Sequence, residues 1–115
     1  MAVLLLVAAA ASLQLGCGMP GAIEAPHSAL RPENVPEDLR SLLPLAERWG
    51  IGDDLDRNAV IQSSTAAERE ELREAVALKG PAITAWLDSF ESGADMTSEA
   101  AAFMYMQLAV EELPQ

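Results

Sequence analysis

No charged side chain precedes Glu24, and from Ala2 to Leu15 every residue is apolar except Ser12 and Gln14. This asymmetry divides the chain before any secondary structure is considered. Val3-Leu4-Leu5-Leu6-Val7 and the alanines that follow are apolar on every side of a helix, a pattern that a small domain has too little material to surround. The run is also shorter than the roughly 18 to 20 residues that a bilayer-spanning helix needs, and it has the length of a signal-peptide core. Residues 1–16 are therefore expected to be an export signal, leaving one small domain.

The acidity belongs to that domain. Eighteen Asp and Glu stand against seven Lys and Arg, a net charge of −11. A surface of this sign repels nucleic-acid phosphates and anionic headgroups, and leaves solubility or a basic protein partner as what the charge can serve. Half the residues are apolar but only 4% are aromatic, so burial must come mainly from aliphatic side chains. With no strand-like alternation, an all-α fold is expected, a compact bundle of about five short helices.

Leu13-Gln14-Leu15-Gly16-Cys17 resembles a bacterial lipobox, in which a diacylglycerol is attached to a cysteine thiol and the chain is cut just before it. Gln14 and Leu15 stand where that pattern usually has Leu and a small residue. The resemblance implies a membrane anchor through lipidated Cys17, and Gly18, in place of the acid that marks inner-membrane retention, favours an outer membrane. A cut after the small-x-small triplet Gly16-Cys17-Gly18 would instead release a soluble secreted or periplasmic protein. Cys17 is the chain's single cysteine, so an internal disulfide is excluded, and lipidation, an intermolecular bridge or a free thiol remain.

Residues 17–36 include Pro20, Pro26, Pro32 and Pro36 with no apolar periodicity, and read as the lipidated cysteine and a flexible linker. The acidic helical domain is then expected over 37–115. Pro36, Glu37 and Asp38 make a helix start, with Leu39, Leu42, Leu43 and Ala46 on one face; Pro44 either kinks this helix or begins a second. Gly50 is expected as a left-handed stop. Asp53 or Asp54 caps a short helix ending at Ser63 and Ser64. Thr65-Ala66-Ala67-Glu68 is a capping box that opens a helix running to Lys79, stopped by Gly80. Pro81 begins another, with Ile83, Trp86, Leu87 and Phe90 on one face, and Thr97 caps the last.

Motifs for chemistry are few. Asp54-Leu55-Asp56-Arg57-Asn58 begins like a calcium loop, but Ala59 and Thr65 occupy the positions where such a loop needs Gly and a bidentate Glu, and Arg57 adds a positive charge. Glu68, Glu70, Glu71 and Glu74 read as solvent-facing acids, with Glu70 and Arg73 at surface-pair spacing. Ser63, Ser64 and Thr65 have no histidine base in the domain, since the single His27 falls in the linker. No catalytic residue, metal ligand, cofactor or small-molecule substrate is expected. Phe103, Met104, Met106, Leu108, Val110 and Leu113 form a broad apolar surface on the last helix; Met96, Met104 and Met106 with Phe103 and Tyr105 read first as core packing, and the edge of this surface is a candidate partner site.

Residues 42–54, with Ala85-Trp86-Leu87 and Ser98-Glu99 ahead of Ala102-Phe103, resemble a group of small uncharacterised bacterial proteins over residues 37 to 110. That resemblance implies a domain extent and no chemistry. The leading expectation is an envelope lipoprotein with a non-enzymatic acidic module that binds or supports. The runner-up is an inhibitor or immunity-type protein that captures a basic toxin or cell-wall hydrolase by electrostatic steering.

Overall fold

The computed structural model describes residues 29–114. The expected export signal over residues 1–16, Cys17 and His27 lie outside the described residues. Within them the chain is all-helical: four α-helices, α1 (Leu43–Trp49), α2 (Asp54–Ser63), α3 (Ala66–Asp88) and α4 (Ser98–Glu112), with 3-10 turns at Pro32–Asn34, Glu37–Leu42 and Gly93–Asp95 and no strand.

Three α-helices begin on the expected side chains. Asp53 Oδ1 accepts from Asp56 N–H at 2.9 Å, Thr97 Oγ1 from Ala100 N–H at 3.0 Å, and Thr65 and Glu68 form the reciprocal box. Each side chain satisfies a donor that the first helical turn leaves without a partner. Pro44 falls in the first turn of α1, where its missing N–H costs nothing. The segment ahead of it, Glu37–Leu42, is a 3-10 helix rather than an α-helix. Leu39 and Leu42, one 3-10 turn apart, are both buried.

Two expectations about glycine are corrected. Gly80 does not stop a helix and Pro81 does not start one; both lie inside the 23-residue α3. Proline disfavours helical backbone at the residue before it by clashing with that residue's Cβ, and Gly80 has none. Gly50 is not left-handed: at φ −87° and ψ 60° it centres an inverse γ-turn, with Ile51 N–H donating to the Trp49 carbonyl at 3.0 Å. What requires glycine there is proximity, because a Cβ would collide with the backbone carbonyls of Ala102 and Ala46.

The core lies between α1, α3 and α4, with α2 packed on α1. Trp49, Leu72, Ile83, Phe103 and Met106 are fully enclosed, and Trp86 meets Phe103 edge-on at 5.3 Å between ring centroids. The packed body extends N-terminal of residue 37. Val35 is buried, Leu30 packs against the core, and the Leu30 and Arg31 N–H groups donate to Glu47 and Glu99. The end of the stretch expected to be a mobile linker is thus an arm fastened to the helices.

Candidate functional site

Five arginines direct their guanidinium groups inward or sideways onto the protein. Arg40 Nε donates to the Pro32 and Val35 carbonyls, both at 2.9 Å, and so holds the arm in its turns. Arg69 donates to the Ser64 carbonyl at 2.7 Å, Arg73 to that of Pro114, and Arg48 pairs with Glu68 at 3.2 Å while lying over the Trp49 ring. The fifth, Arg57, is 2% exposed although it is charged.

Arg57 sits one helical turn before Ile61, on the buried face of α2. Its Nε and Nη2 donate to the two carboxylate oxygens of Glu112 at 2.8 and 3.0 Å, a bidentate fork that ties α2 to the end of α4. Nη2 also reaches Asp54 Oδ1 at 2.6 Å, Nη1 reaches the Ile51 carbonyl at 2.8 Å, and the guanidinium lies 5.7 Å from the Tyr105 ring centroid. The Glu112 hydrogen bond raises the Arg57 pKa against the opposing effect of burial, and the same bond holds the Glu112 carboxyl below the usual carboxylate value. A guanidinium so enclosed is structural and offers nothing to a ligand.

Glu99 is 5% exposed in the first turn of α4. Burial pushes its pKa up, but N–H donors from Arg31, from its own backbone and from the Asn34 amide outweigh this and leave it below the usual value. The two cross-chain bonds measure 2.8 Å (Arg31 N to Oε2) and 3.2 Å (Asn34 Nδ2 to Oε1). A shallow cleft of about 350 Å³ opens here between the arm and Thr97, Ser98 and Glu99. Each of the Glu99 carboxylate oxygens accepts one bond from the arm.

Nearly all the acids among the described residues face solvent. Glu33, Glu37, Asp38 and Glu47 are exposed on the N-terminal side; Asp53, Asp54 and Asp56 ring the start of α2; Glu70, Glu71 and Glu74 line α3; and Asp88, Glu91, Asp95 and Glu111 complete the surface. Glu70 pairs with Arg73 at 3.5 Å, as its spacing led us to expect.

The other singled-out residues fall as follows. Asp54, Asp56 and Asn58 are successive alternate positions of α2 and diverge around it, and no group of three His, Cys, Asp or Glu side chains among the described residues is placed to hold a metal ion. Ser63 and Ser64 donate to the Val60 and Ile61 carbonyls, and Thr65 is a cap. Met106 and Phe103 are core, whereas Met104 is 37% exposed.

Sequence reasoning missed Arg57, Glu99 and Glu112 as organising residues. The available signal was register: Arg57 shares a helical stripe with Ile61, and an ionised residue on such a stripe requires a buried partner. No protein-family model, curated protein or solved structure matches this chain.

Proposed function

We propose that the chain is an envelope lipoprotein, anchored through Cys17, whose acidic helical bundle is a non-enzymatic module that binds a basic protein. The observation that carries this reading is the division of charge within the domain. Arg40, Arg48, Arg57, Arg69 and Arg73 are engaged by carbonyls and carboxylates of the chain itself, whereas nearly every acid stands in water. The exposed acids far outnumber the exposed cations, so the domain's outward field is negative, and such a field accelerates encounter with a basic partner.

An inhibitor of a basic toxin or cell-wall hydrolase is the sharper form of the same idea. The steering it needs is favoured by the spread of exposed acids over α2, α3 and the arm.

Two measurements test the proposal. Mass spectrometry of the mature N-terminus, from cells expressing the native chain and a Cys17→Ser form, should find an acyl-modified Cys17 in the first and none in the second; an intact Met1 overturns the anchoring. A basic cell-wall hydrolase should be bound at low salt and released as the Debye length falls from about 30 Å at 0.01 M to about 3 Å at 1 M. Absence of binding at low salt to any basic envelope protein overturns the module's assignment.

A further inference from the structure

The outer face of α3 changes character midway. Glu70, Glu71 and Glu74 are exposed on its first half, but from Ala77 the same face carries Leu78, Pro81 and Ala85 and no acid until Asp88. Leu78 is 77% exposed, one of the most exposed large apolar side chains among the described residues. The residues recur at three- and four-residue spacing, so they form one continuous stripe along the helix. In a protein that covers its surface with carboxylates, an acid-free stripe that exposes a leucine is out of keeping with the rest of the exterior.

Proline gives the stripe a polar feature as well. Pro81 has no N–H to return to the Ala77 carbonyl, so an acceptor lies on this exposed face without its helical donor. Gly80, just beside it, leaves open space, with nothing within 4 Å of where a Cβ would stand.

We infer that this stripe is the docking seat for a basic amphipathic helix of the partner protein. The inference rests on the reading of the domain as a binder of basic proteins and narrows it to one face. Glu74 and Asp88 bracket the stripe, and fourteen helical residues place them about 21 Å apart. The complementary segment therefore carries Lys or Arg about four turns apart, with an apolar residue between them to cover Leu78 and a donor for the Ala77 carbonyl. A second copy of this chain is the wrong occupant: an antiparallel α3 centred on Pro81 would set Glu74 against Asp88, acid on acid. The chain's own Ala2–Leu15 stretch has no cation for either acid.

The test uses the full chain and a synthetic helix of about 18 residues with a lysine near each end, about four turns apart, and leucines between them on the same face, beside a scrambled peptide of the same composition. Leu78→Asp adds a negative charge while removing the apolar contact, so electrostatics and docking predict opposite signs. Docking on the stripe predicts that Leu78→Asp weakens the amphipathic peptide by about tenfold or more. It also predicts that the milder Leu78→Ala weakens it in the same direction, and that Leu55→Asp, at the other strongly exposed leucine, does not. Equal or tighter binding by Leu78→Asp overturns the inference and leaves the general acidic module standing. Failure of both peptides to bind at low salt overturns both. Dimerisation of the native chain that Leu78→Asp abolishes also overturns it, assigning the face to a second copy.

Discussion

Replacing Gly50 by alanine should destabilise this protein, against the usual sign of the substitution. At an ordinary negative φ, Gly→Ala stabilises by about 0.4–1 kcal/mol because the unfolded chain loses freedom, and Gly50 has φ −87°. The added Cβ, however, lands on the Ala102 carbonyl oxygen and comes within 2.6 Å of the Ala46 carbonyl oxygen, against an ordinary contact distance of 3.4 Å or more. Both obstacles are backbone, one on α4 and the other on α1, so neither can rotate aside and the two helices must separate. Overpacking costs about 1–3 kcal/mol, and two immovable neighbours put this site at about 3 kcal/mol. For a domain of this size that is a fall in Tm of about 12–24 °C. Gly93→Ala is the matched control: nothing lies within 4 Å of its Cβ position, and the change should stabilise by about 0.4–1 kcal/mol. Urea titration followed by circular dichroism reads both, with the denaturant slope checked for constancy. A Gly50→Ala midpoint equal to or above that of the native chain would refute the close approach as the reason for glycine.

Glu112→Ala should destabilise more than Arg57→Met, although the second removes more hydrogen bonds. Glu112→Ala strands a buried guanidinium with Asp54, whose side chain is 86% exposed, costing about 1.5–3 kcal/mol; Arg57→Met leaves two hydratable carboxylates and an orphaned Ile51 carbonyl, about 1–2 kcal/mol. The reverse order in thermal melts would contradict this account. For Glu99, a folded pKa below the ordinary value means that the native state binds fewer protons than the unfolded one. Its stabilisation is therefore present above the unfolded pKa near 4.5 and is lost as pH falls through the folded value. Glu99→Gln should flatten that acid limb, lower stability at neutral pH by about 1–3 kcal/mol, and speed cleavage after Glu33 by a glutamyl endopeptidase by loosening the arm. Unchanged cleavage would show that Glu99 does not hold it.

Local signals were legible because their partners are close in sequence. The Thr65–Glu68 box, the Asp53 and Thr97 caps, and the apolar spacing of Leu39, Leu42, Leu43 and Ala46 each concern residues within a few positions, and each reads directly. The Gly80-Pro81 pair misled because a dipeptide that breaks helices singly is tolerated jointly: glycine removes the Cβ that proline would strike, and packing of Val76 and Ile83 on the core carries the helix through. Gly50 misled because its constraint comes from Ala102, far along the chain. Arg57 with Glu112 and Glu99 with Arg31 lie 55 and 68 residues apart, so periodicity carries no trace of either pairing. In sequence the arm reads as a linker because its prolines dominate the composition, whereas two apolar residues, Leu30 and Val35, and two N–H donors decide its place.

That arm has a mechanical meaning. Tension applied to the chain from the N-terminal side of Leu30 would reach the helices first through the bonds of Leu30 and Arg31 to Glu47 and Glu99, and then through those of Asn34 to Glu99 and Arg40 to the Pro32 and Val35 carbonyls and the seating of Val35. These attachments act in series ahead of the core, so the arm would peel before any helix unfolds. Each link released would lengthen the free chain by a few ångströms per residue while the bundle behind it stays folded, giving the domain a short reserve of reach on its N-terminal side.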